Sequence, residues 1–89
     1  MALFRLGHVV ATPGALAFCS THNIAPLDLL NRHAGGDFGD LDATDAQANA
    51  HALQHDLRVL SSYKVGREKI WVITEADRSS TCLLLPSEY

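Results

Sequence analysis

The chain predicts an α+β domain of two layers, in which an N-terminal strand and three helices precede and pack on an antiparallel sheet. Three observations predict it. The opening segment Leu3–Ala11 is apolar and β-branched at Val9-Val10. The middle third carries helix-start signals and a run of alanines. The last third switches to a two-residue alternation broken by short turns.

Taken in order, Leu3–Ala11 reads as a strand. Thr12-Pro13 follows as an N-cap and a proline at the first helical position, so a helix runs through Leu16, Phe18 and Cys19 to about Thr21. Asn23 suits the left-handed residue that ends it. Pro26 opens a second helix to about His33, with Leu27, Leu29 and Leu30 inward, and Gly35-Gly36 stops it. After a loop from Asp37 to Leu41, Asp42 or Thr44 caps a third helix that fades near His55. Its alanines (Ala43, Ala46, Ala48, Ala50, Ala52) supply propensity without bulk and fit close approach to a sheet. Val59, Ser61, Tyr63 and Val65 then alternate with Leu60, Ser62 and Lys64. Beyond a turn at Gly66-Arg67-Glu68, Lys69–Glu75 puts Ile70, Val72 and Thr74 on one face and Trp71 and Ile73 on the other. A second turn precedes the strand Ser80–Leu85, and Pro86 ends it. The short connections predict a three-stranded meander.

Composition narrows the classes of function. The 89 residues fit a single domain spanning 1–89, and ten acids against seven bases give a net charge of −3. Charge is polarised: residues 22–56 hold six acids and one base, giving −5, whereas residues 57–89 hold five bases and four acids, giving +1. No basic stripe matches several phosphates, so direct nucleic-acid binding is not expected. Two cysteines, Cys19 and Cys82, lie among apolar neighbours and read as reduced core residues, which suits the cytoplasm. No apolar run reaches the length of a membrane span. A lipoprotein signal is not expected either, because His8 and Thr12-Pro13-Gly14 interrupt the apolar stretch and Phe18 is too large before Cys19.

Ile70-Trp71-Val72-Ile73-Thr74-Glu75-Ala76-Asp77-Arg78-Ser79, with Thr81 and the closing Leu83-Leu84-Leu85-Pro86-Ser87-Glu88-Tyr89, resembles the ending of a family of small "plasmid-related" proteins. That family occurs on proteobacterial plasmids and integrative elements. Val9-Val10-Ala11-Thr12-Pro13-Gly14-Ala15-Leu16 is similar to its opening, and Arg32-His33, Gly36–Leu41, Asp45 and Asn49 are similar to its centre. The resemblance implies a cytoplasmic accessory protein of a mobile element, and supplies context rather than chemistry. Some such proteins are called a restriction-modification methyltransferase subunit. That activity does not suit 89 residues with no glycine-rich loop opening a helix after a strand.

Three constellations can carry chemistry. His33, Asp37, Asp40, Asp45 and Asn49 bring polar groups to one stretch, with Asp45 and Asn49 one helical turn apart. Such a group can place a general base or, through Asp37, Asp40 and Asp45, weakly hold a divalent cation. The calcium-loop pattern is not met, because counting from Asp40 puts Asp45 at the glycine position and His51 at the glutamate position. The plainer reading is helix capping. His51 and His55 share a helix face but lack the zinc-protease pattern, since position 52 is Ala, and read as solvated. Glu75, Asp77 and Arg78–Thr81 form a hydroxyl-rich hairpin edge of the kind a small ribonuclease uses, or simply a turn. Tyr63 and Trp71, on adjacent strands, are expected to pair across their hairpin, and with Tyr89 they offer aromatic area for a contact patch if the face opposite the helices is uncovered.

The sequence favours a small cytoplasmic interaction protein of a mobile element that binds a protein partner or a second copy, in one version modulating a host defence complex. It needs no cofactor and no membrane. The alternative is a ribonuclease-like toxin or hydrolase using His33 with Asp37 or Asp40, or the Arg78–Thr81 edge.

Overall fold

A computed structural model describes residues 2–89. The elements are β1 (His8–Ala11), α1 (Pro13–Thr21), α2 (Pro26–Ala34), α3 (Ala43–His55), β2 (Val59–Val65), β3 (Glu68–Thr74), β4 (Ser80–Leu84) and a short 3₁₀ helix (Pro86–Glu88). The fold is α+β, with a four-stranded sheet of order β1-β4-β3-β2. β2, β3 and β4 form the expected antiparallel meander. β1 adds to its far side, parallel to β4 with Val9 opposite Thr81.

Local signals set the element ends. The Thr12 hydroxyl accepts the Ala15 amide and caps α1, and Asp42 caps α3 by accepting the Asp45 amide at 2.8 Å. Asn23 adopts φ +58°, the left-handed conformation that releases the chain from α1. The C-terminus is fastened to the same cap. Thr12 Oγ1 donates to Glu88 Oε1 at 2.6 Å, and that oxygen also accepts the Leu85 amide.

α1 and α2 cover one face of the sheet. Ala15, Phe18 and Cys19 of α1 and Leu29 and Leu30 of α2 pack on Tyr63, Ile70, Val72 and Leu83. These strand residues are in one phase of the pleat, as the register Tyr63–Ile70 and Val72–Leu83 requires. Trp71 pairs with Ser62 in the opposite phase. Tyr63 and Trp71 therefore sit on opposite faces and do not pair across the hairpin.

α3 corrects another expectation. It does not lie on the sheet as an alanine-lined layer; only Asn49 and Ala52 of its residues are buried, and it runs against the β2 edge. Most of its alanines face solvent, where they serve helix propensity rather than close packing. Cys19 is in the core, and burial pushes its thiol up; Cys82 is half-buried on the other face. Among the described residues no helix is long and apolar enough to cross a membrane.

Candidate functional site

The five polar residues of the central stretch do not converge on one pocket. His33 forms a buried hub and Asp37, Asp40 and Asn49 an edge guard, while Asp45 shares only a small cleft with Asp40, beside Lys69 and Trp71.

His33 is the hub. It follows Leu29 and Leu30 on the inward face of α2 and is fully buried. Its Nδ1 lies 2.5 Å from Ser61 Oγ and its Nε2 lies 2.8 Å from Thr74 Oγ1. Thr74 Oγ1 is 2.7 Å from Thr81 Oγ1, and Thr81 donates to the Leu6 carbonyl at 2.8 Å. One proton order satisfies the whole chain. The Leu6 carbonyl only accepts, so Thr81 spends its proton there and must accept from Thr74. Thr74 then accepts from Nε2–H, which leaves Nδ1 to accept from the Ser61 hydroxyl. Burial pushes the imidazole pKa down to about 4, so the ring is neutral near pH 7. Phe4 meets the ring edge-on at 5.1 Å.

Ser61, Thr74 and Thr81 are all fully buried. No carboxylate takes part, and a nucleophile sealed from solvent cannot meet a substrate. The geometry makes this a neutral hydrogen-bonded cross-tie joining α2 to three strands. Its sequence signal was the inward phase itself: a hydroxyl stands at an inward position of each of three neighbouring strands, and a histidine stands on the apolar stripe of α2.

Asp37, Asp40 and Asn49 form the guard. In an antiparallel edge strand every second residue turns both its N–H and its C=O outward, and in β2 these are Leu60, Ser62 and Lys64. The Leu60 amide donates to Asn49 Oδ1 at 3.0 Å, and Asn49 Nδ2 donates back to the Leu60 carbonyl. The Ser62 amide donates to the Phe38 carbonyl, and the Asp40 amide donates to the Ser62 carbonyl. The Lys64 amide donates to Asp40 Oδ2 at 3.0 Å. Gly39 makes this approach possible: it has φ +75°, and a Cβ there would run into the Ser62 backbone and Tyr63 ring. Asp37 anchors the loop, since its carboxylate accepts from Arg32 Nε at 2.7 Å and its carbonyl accepts from the Tyr63 hydroxyl at 2.6 Å. The Arg32 guanidinium holds the Asp37 carboxyl below its ordinary range. Asp45 is exposed, with its amide on the Asp42 cap. Among the described residues no three His, Cys, Asp or Glu side chains group to hold a metal ion.

The hairpin edge resolves likewise. Arg78 sits in the β3–β4 turn with φ +60°, and its Nη1 and Nη2 donate to the carbonyls of Leu57, Glu75, Ala76 and Ala52. It staples the turn to the end of α3. Asp77 accepts the Ser79 amide at 3.0 Å as an ordinary turn former. His51 and His55 stack on each other at 4.2 Å on the exposed side of α3.

Of the aromatic candidates, Tyr63 is 2% exposed and belongs to the core. Trp71 is half-buried beneath Tyr89, whose ring meets it at 5.8 Å. The Arg58 guanidinium covers Tyr89 and donates to its hydroxyl.

The opposite edge of the sheet was missed in the sequence. β1 donates to β4 through His8 and, just beyond its end, Thr12. The alternation then turns the N–H and C=O of Val9 and Ala11 outward, and among the described residues they meet no acceptor or donor. Val9 and Val10 are 46% and 52% exposed. Among the described residues no lysine, proline or covering loop blunts this edge, and the shortness of the four-residue strand is what limits it. No family model, curated protein or solved structure matches the chain.

Proposed function

We propose that the protein is an interaction module that takes an extended segment of a partner protein onto the open edge of β1. One observation carries the reading: β1 presents unpaired backbone groups and two half-exposed valines, while the outward groups of β2 at Leu60, Ser62 and Lys64 are met from α3 and the central loop. Main-chain hydrogen bonds to Val9 and Ala11 supply affinity, and alternate partner side chains supply specificity. Val10 lies in the phase of Cys82, Ile73 and Leu60, on the face that also carries Trp71.

The setting we propose is that of a cytoplasmic accessory protein of a mobile element, with a component of a host defence complex as the partner. It rests on the resemblance of the opening, centre and ending of the chain to the plasmid-related family. The hydrolase alternative has weaker support, because His33 is sealed in the core and Arg78 is spent largely on backbone carbonyls.

Val9→Pro tests the reading. Proline removes an N–H that the sheet does not use, so the fold is retained while strand addition is blocked. A partner retained by the wild type and lost on Val9→Pro, but kept on Arg67→Glu at the far turn, supports it. Equal retention by all three overturns it. A concentration-dependent dimer of the wild type that Val9→Pro abolishes identifies the partner as a second copy.

A further inference from the structure

The geometry points to a binding groove for a small phosphate ester with an apolar or aromatic group, between the N-terminal strap and the β3–β4 turn. The groove is shallow and open to solvent, with a volume of about 820 Å³. Phe4, Arg5, His8, Asn31, Arg78 and Ser79 line it, and no aspartate or glutamate is among its lining residues. That is notable in a chain of net charge −3.

The charge there is not neutralised from within. Arg78 donates only to backbone carbonyls, which orient its guanidinium without cancelling it. Four acceptors engage Nη1 and one Nη2 hydrogen, so Nε–H and the second Nη2 hydrogen are left for a ligand. Two adjacent guanidinium donors match two oxygens of a phosphate. The pre-orientation is built at a strained residue, since Arg78 holds φ +60° in its turn. Arg5 is exposed and makes no ion pair among the described residues.

The groove's wall is equally specific. Gly7 has φ +65°, and a Cβ there would collide with the carbonyls of Arg78 and Ser79, so only glycine brings the strap this close to the turn. Phe4 is fixed between the His33 ring, edge-on at 5.1 Å, and the Arg78 guanidinium, 5.5 Å from its centroid. Together with Leu6 and Ala34 it gives the groove an apolar side. Asn31 and Ser79 add neutral hydrogen-bonding groups. Two arginines line the groove, Arg5 and Arg78, fewer than the several phosphate contacts a nucleic-acid backbone needs.

The test is an amide-resolved NMR titration with phenyl phosphate, inorganic phosphate, phenol and a single-stranded RNA oligomer. Phenyl phosphate should shift the amides of residues 4–8 and 78–79. Inorganic phosphate and phenol should each bind about tenfold more weakly, the worth of one missing set of contacts. Arg5→Glu should weaken phenyl phosphate by at least about tenfold with an unchanged melting temperature, whereas Arg67→Glu should not. Arg78→Lys keeps the charge but not the paired donors and should also weaken it; Arg5→Glu keeps the test decisive if Arg78→Lys does not fold. Unshifted groove amides at millimolar phenyl phosphate would overturn the proposal, as would equal binding by phenol. Tighter binding of the RNA oligomer than of phenyl phosphate would overturn it too, in favour of a polymer site.

Discussion

The two edges of this sheet are treated in opposite ways. At β2, the outward groups of Leu60, Ser62 and Lys64 are met by Asn49, Phe38 and Asp40. At β1, Val9 and Ala11 face outward with none among the described residues. An open edge invites pairing with other chains, so proteins usually blunt both. Here one whole loop and one helix are devoted to closing β2. That places the acidic centre of the chain at the guarded edge and leaves the His8–Ala11 segment, which holds no Asp, Glu, Lys or Arg, at the open one. The difference teaches that the central polar residues are chiefly a guard, and that the open edge lies where the sequence is merely apolar.

The largest effect should come from removing the guard's hinge. Gly39→Val places a branched side chain at φ +75° against the Ser62 backbone. We expect a loss of about 3–4 kcal/mol in denaturant unfolding. A loss within about 0.5 kcal/mol would show that the loop is not pinned to β2.

Next comes the pH response of the cross-tie beneath the strands. The folded pKa of His33, about 4, lies below its ordinary value of 6.5, so the unfolded chain binds the extra proton between them. His33 therefore stabilises the fold fully above pH 6.5, and this is lost as pH falls toward 4. The loss amounts to about 3 kcal/mol at about 1.4 kcal/mol per unit. Denaturation curves of the wild type and His33→Gln should diverge at neutral pH and approach one another near pH 4. Parallel curves would contradict a buried, neutral imidazole.

Asn49→Ala should cost about 2 kcal/mol, because it unpairs both the N–H and the C=O of Leu60. It should also open the β2 edge at Leu60, so sedimentation should show more self-association than for the wild type at the same concentration. An Asn49→Ala protein that is less stable but no more prone to associate would separate stability from guarding. The smallest effect on stability is expected of Val9→Pro, within about 1 kcal/mol, since the lost N–H has no partner. Its consequence should fall on binding instead.

Much of this fold was legible because it is local. Asp42 and Thr12 announce their helices by cap chemistry, Asn23 announces the end of α1, and the phases of β2 and β3 follow from alternation alone. What was not legible depends on long-range register. That β1 joins β4 in parallel, and that α3 lands on the β2 edge, are decided by packing between distant segments. The inward direction of His33 could be read from Leu29 and Leu30, but its partners Ser61, Thr74 and Thr81 are aligned only once three strands are in register. Asn49 read as a cap or a ligand because the sequence does not show that Leu60 lies opposite it.

Amide hydrogen exchange tests the contrast between the edges most directly. The amides of Leu60, Ser62 and Lys64 should be protected to nearly the stability of the whole fold, although they face away from β3. Those of Val9 and Ala11 should exchange at close to the unprotected rate, while His8 and Thr12 on the same segment are slowed by β4. Fast exchange at Leu60, Ser62 and Lys64, or strong protection at Val9 and Ala11, would contradict the account.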